Sequence, residues 1–426
     1  MYLPGSRTLR SISYEATEPL RLSAQRLGVP VLADKLRRAT LCAYIAARHR
    51  SIANRSFSDA SLEWARLCLE LSDKSGYFFC PNLVSNESES LDAAAQLSAL
   101  PAGLVQLGVG PETMLTYLGL GRAPLAFVVD IRRDNALLHY LYRAAFAESS
   151  TRTEWLSLLL ARPYDRACDR GEVATIEDVL GCVSSCKPTA RSFEVAQRRI
   201  TRALEQLPPF LLPLDSYRMR QIHRQFWRHG LEVSFQIEGP RFRQYPNLAT
   251  LLCARGPTGE ALGFLADETV FRRIQALESA NGVIPAVGSL HGGILLRIGK
   301  ELDRRGLQLG ALYVSNVEQY LFESGQWQSW VDVLRRLPCH SSAILIRSYF
   351  QNEYGEVPDP PSSLSEQLRR TLKVARQVRR RRGPLSEHKM KTVVHGVHAF
   401  LEKQMSHSYT GYRELVSDRS LVPSAR

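Results

Sequence analysis

The chain has 426 residues, 44% hydrophobic and 23% charged. That is more apolar material than one core normally takes up, with an ordinary charged fraction, so a largely disordered chain is excluded and one large domain with insertions, or two domains, is expected. Lysine plus arginine outnumber aspartate plus glutamate by 55 to 42, a formal charge of +13. This excess favours polyanionic partners, but arginine is spread along the whole chain, the pattern of a generally basic surface.

Eight cysteines stand at 42, 68, 80, 168, 182, 186, 253 and 339, with no CxxC pair. A zinc site normally shows a second close pair of ligands, so no metal is expected and the cysteines read as buried free thiols in a reducing compartment. Arg7, Arg10, Arg21 and Arg26 interrupt the N-terminus, which has no apolar run of signal length. No stretch approaches the roughly 20 apolar residues of a transmembrane helix. A cytoplasmic location is the expectation.

In chain order, residues 1–30 are polar and mixed, and 31–72 predict two helices separated near Ser56–Ser58. A loop over 77–86 and a helix over 91–100 follow. Leu104 to Leu107 is a short apolar run read as a buried parallel strand. Gly108-Val109-Gly110-Pro111 turns the chain, residues 112–120 predict a helix, and Leu125 to Val129 form a second strand closed by Asp130. Residues 135–160 predict amphipathic helix. The stretch 163–262 is less regular, with an apolar run at 210–214 and a helix over 218–229. Strands are predicted again at 283–287, ending in Gly288, and at 309–314, with a helix over 294–305 between them. A helix over 327–337 and a strand over 342–346 complete the pattern. Beyond lie a very basic helix over 368–382, ending in Arg379 to Arg382, and a helix over 386–404.

These elements predict an α/β fold: five strands in one mostly parallel Rossmann-like sheet, helices on both faces, and the 104–107 strand between those at 125–129 and 309–314. The domain expectation is an N-terminal helical region over 1–76 and an α/β domain over 77–350. A helix-rich insertion at about 135–280 caps the cofactor edge, and 351–426 form a basic helical extension.

Gly108, Gly110 and Asp130 make a constellation. A glycine turn after a buried strand lets a ligand approach the backbone. The following helix, opening at Glu112, offers free N–H groups. An acid ending the next strand can accept hydrogen bonds from both ribose hydroxyls, and Asp130 lies 20 positions after Gly110, the usual spacing. A dinucleotide fingerprint wants a third glycine around the pyrophosphate; here that position is Thr113. S-adenosylmethionine (SAM) has no pyrophosphate, so the shortened motif favours SAM over NAD.

The stretches FCPNLVSNE (79–87), QLGVGPETMLTY (106–117), FVVDIRRDNALLHYLYRAAF (127–146), IPAVGSLHGG (284–293) and YVSNVEQYLF (313–322) resemble a family of mostly uncharacterised bacterial proteins. That family is described as having a SAM-dependent methyltransferase-like core. The resemblance runs in blocks from about 77 to 350 and implies a class I methyltransferase-like protein. Ser289 stands where the family usually has an aspartate, near the place where methyltransferases often contact the adenine amine.

Two further segments carry candidate chemistry. Asn82, Ser85, Asn86 and Glu87 precede the first strand, where a segment can fold over SAM; the alternative is an Asx-type turn. Ser315, Asn316 and Glu318 follow the fourth strand, where open α/β sheets place ligand-binding groups. Ser315 is a cofactor-binding candidate, and Glu318 with Asn316 is the candidate catalytic pair. The same residues also read as a capping box, Ser315 with Glu318 three positions on. Arg132 and Arg133 read as a charged start to a helix; the alternative is that one of them stacks on the adenine or binds a carboxylate. His395 and His398, three apart on a predicted helix downstream of His388, read as solvated or packed. The acceptor substrate is unassigned. Rival readings are a binding module without catalysis, a nicotinamide-dependent enzyme, and a nucleic-acid-associated protein acting through its basic C-terminus.

Overall fold

The structure, a computed structural model, describes residues 58–73, 82–87, 89–169, 175–207, 211, 213–235, 245–350 and 390–423. The first predicted helix of 31–72, the basic 368–382 segment and His388 lie outside these residues.

Helix α1 (Asp59–Glu70) starts at Ser58, whose hydroxyl accepts from the Ser61 N–H. It packs along the sheet edge through Trp64, whose indole N–H donates to Val283 O at 2.6 Å. After the short α2 (Ala94–Ser98) come β1 (Val105–Gly108), α3 (Glu112–Gly121), β2 (Ala126–Asp130) and α4 (Arg133–Ala147). Both strands are buried along their whole length, which is why they read as continuous apolar runs. The insertion carries α5 (Arg152–Leu159), α6 (Ile176–Ser185), α7 (Ala190–Glu205), α8 (Pro213–His229), the short α9 (Leu248–Leu252) and α10 (Glu268–Ser279). The sheet resumes with β3 (Val283–Val287), α11 (Gly293–Arg305), β4 (Leu309–Ser315), α12 (Val317–Glu323), α13 (Trp327–Leu334) and β5 (Cys339–Phe350).

All five predicted strands lie in one sheet of order β3-β2-β1-β4-β5 with a sixth strand outside β5. This last strand, β6 (Met390–Gly396), runs antiparallel to β5, with Arg347 opposite Val393 and Ser348 opposite Thr392. The other pairings are parallel. The molecule is therefore a mixed α/β protein with a mostly parallel, Rossmann-like sheet. The antiparallel end distinguishes it from an all-parallel dinucleotide sheet of the same order.

The C-terminal region corrects the sequence reading. The predicted 386–404 helix is β6 followed by α14 (Val397–Ser406) and α15 (Tyr412–Ser417). The β-branched pair Thr392-Val393 with Val394 suits a strand, and the open edge of β5 supplies the partner. His395 thus lies on β6 and His398 on α14, not on one helix face. The cysteines depart too: Cys168 and Cys182 form a disulfide, with Cα atoms 6.1 Å apart. Cys68, Cys186, Cys253 and Cys339 are free, and only Cys68 is fully buried. Residues 135–160, read as one helical stretch, are α4 and α5 with a break at 148–151.

The insertion is tied to the carboxyl edge of β2. The start of α8 reaches the first turn of α4 through two ion pairs. The Arg133 Nη2 atom lies 2.6 Å from Asp215 Oδ2, and Arg218 pairs with Asp134. Among the described residues no helix is long and apolar enough to cross a membrane.

Candidate functional site

The carboxyl ends of the parallel strands present two polar clusters. The first is built on β1, β2 and β3. Gly108 ends β1, and a Cβ there would collide with the Met114 thioether. This glycine therefore seats the first turn of α3 against the strand. Gly110 is different: its φ is 80°, and nothing lies within 4 Å of where a Cβ would stand. Its backbone faces open space. From below, the His139 Nε2–H donates to Gly110 O at 2.9 Å. Burial pushes the His139 imidazole down to about 4, so the ring is neutral and holds the turn as a plain donor.

Asp130 ends β2 at the same edge, two residues beyond Val128, which pairs with Gly108. Its carboxylate is engaged. The Arg132 backbone N–H and Nε–H both donate to Oδ1 at 2.9 Å, and Nη2–H donates to Oδ2 at 2.7 Å. This is a two-pronged guanidinium–carboxylate contact, and the Arg132 side chain is 20% exposed. Arg132, read as a charged helix start with a carboxylate contact as the alternative, is thus the group that covers the candidate ribose acceptor.

At the end of β3, the Gly288 N–H donates to Asp130 O at 2.8 Å. Ser289 is half-buried, and its carbonyl accepts from the Gly292 N–H at 2.9 Å. An acid does stand beside this turn, but from elsewhere in the chain. The Asp73 N–H donates to Val287 O. Its Oδ2 would meet a Cβ on Gly288 at 2.6 Å, and Arg297 pairs with its Oδ1. No local pattern at Gly288 pointed to Asp73; the contact closes across most of the domain.

The second cluster joins the 82–87 segment to β4 and β5. Glu87 is buried, and its Oε1 accepts from the Tyr313 hydroxyl at 2.6 Å and from the Ser315 hydroxyl, while Oε2 accepts from the Ser348 hydroxyl at 2.6 Å. Desolvation by burial raises the Glu87 carboxyl above its ordinary range. Glu112, also buried, accepts the Ser85 N–H on both oxygens, at 3.0 and 3.1 Å. Burial pushes Glu112 up to about 7. The Ser85 hydroxyl accepts from the Glu87 N–H at 3.1 Å. Ser85 and Glu87 are therefore built into the sheet edge, while Asn82 and Asn86 remain half-buried. The Tyr412 hydroxyl, from α15, closes the cluster on Ser348 O at 2.9 Å.

Asn316 and Glu318 have separate fates. Ser315 has a left-handed φ of 51°, and α12 begins after Asn316 without a side-chain cap, so the capping box is absent. The Nδ2 of Asn316 is buried without a partner among the described residues. Glu318 is fully buried in an ion pair: Arg347 Nε–H donates to its Oε2 at 2.5 Å, and Arg347 Nη2–H and the Trp330 indole N–H donate to its Oε1 at 3.1 and 2.7 Å. Arg347 Nη1–H donates onward to His395 Nδ1 at 2.9 Å. Burial lowers His395 to about 3 and keeps it neutral. Fully buried and bonded to an arginine and an indole, this carboxylate is placed as an anchor between β4 and β5. Arg347, Trp330 and Ser348 were not legible as a set, because partners 12 and 29 positions from Glu318 meet only once β5 lies beside β4.

Gly110, Asp130 and Ser289 thus meet at one edge with Asp73 and Arg132. Ser85, Glu87, Glu112 and Ser315 form the neighbouring polar knot, and Glu318 sits behind it. Among the described residues no group of three or more His, Cys, Asp or Glu side chains is placed to hold a metal ion.

The family described as a domain of unknown function, DUF7790, matches residues 250–403, the part of the chain that carries β3 to β6. No curated protein matches the sequence. Among solved structures, the rRNA methyltransferase aviRa from Streptomyces viridochromogenes is 14% identical, over 63% of this chain and 75% of that chain, with a TM-score of 0.22. A likeness at that score carries no argument, and the architecture rests on the strand order and register given above.

Proposed function

We propose that this chain binds S-adenosylmethionine at the carboxyl edge of β1 and β2, as a class I methyltransferase-like protein whose methyl acceptor is unidentified. The observation that carries the reading is Gly110. It presents bare backbone to open space, at the end of the strand where the order turns from β2 and β3 on one side to β4 and β5 on the other. Open α/β sheets bind ligands at such a switch point.

The residues fit a nucleoside with one rearrangement. Gly108 packs the helix, Gly110 leaves room for the methionine part, and Asp130 accepts the ribose hydroxyls once Arg132 swings outward. Asp73 and Ser289 stand where an adenine amine would find acceptors. Glu112 and Ser315 hold the walls through their contacts to Ser85 and Glu87. SAM, when bound, supplies an electrophilic methyl group. The chain's own contribution is to position it and exclude water, since methyl transfer is an in-line displacement that gains most from orientation. One observation favours a second reading, a binding module without catalysis: Glu318, the expected base, is consumed by Arg347 and Trp330.

Calorimetric titration with SAM, S-adenosylhomocysteine and NAD, on wild type and Asp130→Ala, tests the reading. SAM binds the wild type. Loss of charge-assisted bonds to the ribose weakens it about tenfold to a hundredfold in Asp130→Ala, at about 1.4 kcal/mol per factor of ten. The variant also loses some stability, because Asp130 is buried and bonded to Arg132, so binding is read well below its melting temperature. Binding of NAD without SAM, or of no nucleoside by folded protein, overturns the assignment.

A further inference from the structure

A second cavity, of about 260 Å³, lies between α5 and α7 in the insertion. None of its lining residues belongs to the Gly108–Gly110 turn or to Asp130. Its construction starts from the way α5 ends. Ala161, just after α5, has a φ of 48° although it is not glycine, a conformation that strains any residue with a Cβ. Two bonds hold it there. The Arg162 N–H donates to Ser157 O at 2.8 Å, and the Ser192 hydroxyl, from the first turn of α7, donates to Ala161 O at 2.8 Å. With the Ala161 N–H donating to Leu158 O at 3.2 Å, this is a left-handed stop that ends α5, and it turns the next residue, Arg162, toward the cavity it lines.

The Arg162 Nη1 donates to Leu160 O at 2.8 Å and to Trp227 O at 2.9 Å, which locks the guanidinium plane between α5 and α8. Its Nε and Nη2 groups have no acceptor, and no carboxylate pairs with it, among the described residues. Burial holds this guanidinium below its ordinary range. Arg191, exposed in the first turn of α7, also lines the cavity and has no acidic partner among the described residues. The one carboxylate in the lining, Glu154, is already paired with Arg199 at 2.8 Å. Leu158, Val195 and Ala196 supply an apolar wall.

We propose that this cavity binds a small organic phosphate monoester, with the phosphate between Arg162 and Arg191 and the organic body against Leu158, Val195 and Ala196. Two guanidiniums without carboxylates match a group carrying nearly two negative charges at neutral pH, and the planar guanidinium fork suits phosphate oxygens. The start of α7 adds a favourable dipole. The volume is just below the usual range of about 300–1,000 Å³ for ligand pockets, so the organic part is small.

The test is calorimetric titration of the full chain with phenyl phosphate, inorganic phosphate, and a 5′-phosphorylated oligonucleotide. Phenyl phosphate binds with one-to-one stoichiometry and inorganic phosphate binds more weakly. Arg162→Gln weakens phenyl phosphate about tenfold or more, the loss expected for a charge-assisted contact. Because Arg162 also braces two carbonyls, Arg191→Ala is the companion variant. It removes an exposed side chain and weakens binding about tenfold, with unchanged melting. Asp130→Ala leaves phenyl phosphate binding unchanged, which separates this site from the proposed nucleoside edge. Three outcomes would overturn the proposal: no binding of phenyl phosphate to folded wild type, binding indifferent to both arginine variants, or tight binding of the oligonucleotide that phenyl phosphate fails to displace.

Discussion

The two halves of the sheet's carboxyl edge are built from similar residues and end in opposite conditions. On the β1–β2–β3 side, a glycine faces open space and a carboxylate is covered by a partly exposed arginine. On the β4–β5 side, Glu87 accepts from three hydroxyls and Glu318 accepts from an arginine and an indole. Position near a strand end marks both sets as candidates; Asp130, Glu87 and Glu318 each accept three hydrogen bonds, and what separates them is the exposure of the donor, since Arg132 is 20% exposed while Arg347 is fully buried. A carboxylate buried together with its donors rigidifies its surroundings, whereas one covered by a partly exposed side chain lies closer to solvent and to a ligand.

The sharpest way to break this comparison is at Glu318. The Glu318–Arg347 pair is completely buried, and removing one member leaves the other charge without compensation. Glu318→Gln and Arg347→Met are each expected to lose about 3–5 kcal/mol of unfolding free energy, read by urea denaturation. The double variant Glu318→Leu/Arg347→Met recovers much of that loss, because no charge is left stranded. A Glu318→Gln protein of wild-type stability would show that this half of the edge is not the anchor described above.

A smaller effect is expected from pH. Glu112 is held protonated in the fold up to about pH 7, while in the unfolded chain it ionises near 4.5. Its stabilising contribution is therefore complete below about pH 4.5 and is lost as pH rises through about 7. Each pH unit between the two values is worth about 1.4 kcal/mol, so Glu112 accounts for about 3 kcal/mol of lost stability across that window. Glu278, raised to about 7 by burial despite its pairing with Arg143, titrates in the same range. Glu112→Gln should remove only its own share, flattening but not abolishing the decline in stability between pH 4.5 and 7. A variant with the wild-type slope would show that Glu112 is ionised in the fold.

Much of the sheet was legible because its strands are buried on both faces and read as uninterrupted apolar runs: Phe127 to Val129 and Leu312 to Val314 leave no alternative. The strand β6 was not, since its burial is uneven and its partner lies some forty residues upstream. The glycine turn was legible as a motif, yet the motif could not tell Gly108, which packs Met114, from Gly110, which packs nothing. Arg132 was visible two positions after Asp130, but whether a neighbouring arginine points to solvent or folds back depends on the local backbone, which composition does not encode. The partners of Glu87 and Glu318 were illegible for a simpler reason. Ser348 lies 261 positions from Glu87, and only the finished sheet brings them together.

The smallest expected effect sharpens the comparison most, because it concerns the one contact that keeps the first half of the edge covered. Arg132 and a ribose diol compete for the same two oxygens of Asp130. The side chain of Arg132 is 20% exposed and that of Asp130 8%, so the pair is mostly desolvated, and charge-assisted bonds of this kind contribute about 1.5–3 kcal/mol. Arg132→Ala releases both carboxylate oxygens from the guanidinium and leaves the backbone N–H bond of residue 132 in place. The fold should lose about 1–3 kcal/mol, and SAM should bind up to about fivefold more tightly, since the ligand no longer has to displace the side chain. The gain should shrink as salt is raised in the wild type, where screening weakens the competing pair. Titration of wild type, Arg132→Ala and Asp130→Ala at two ionic strengths reads all of this directly. If Arg132→Ala instead weakens SAM as much as Asp130→Ala does, the guanidinium is a ligand contact and not a cover, and the opening at this edge must be sought on the Asp73 side.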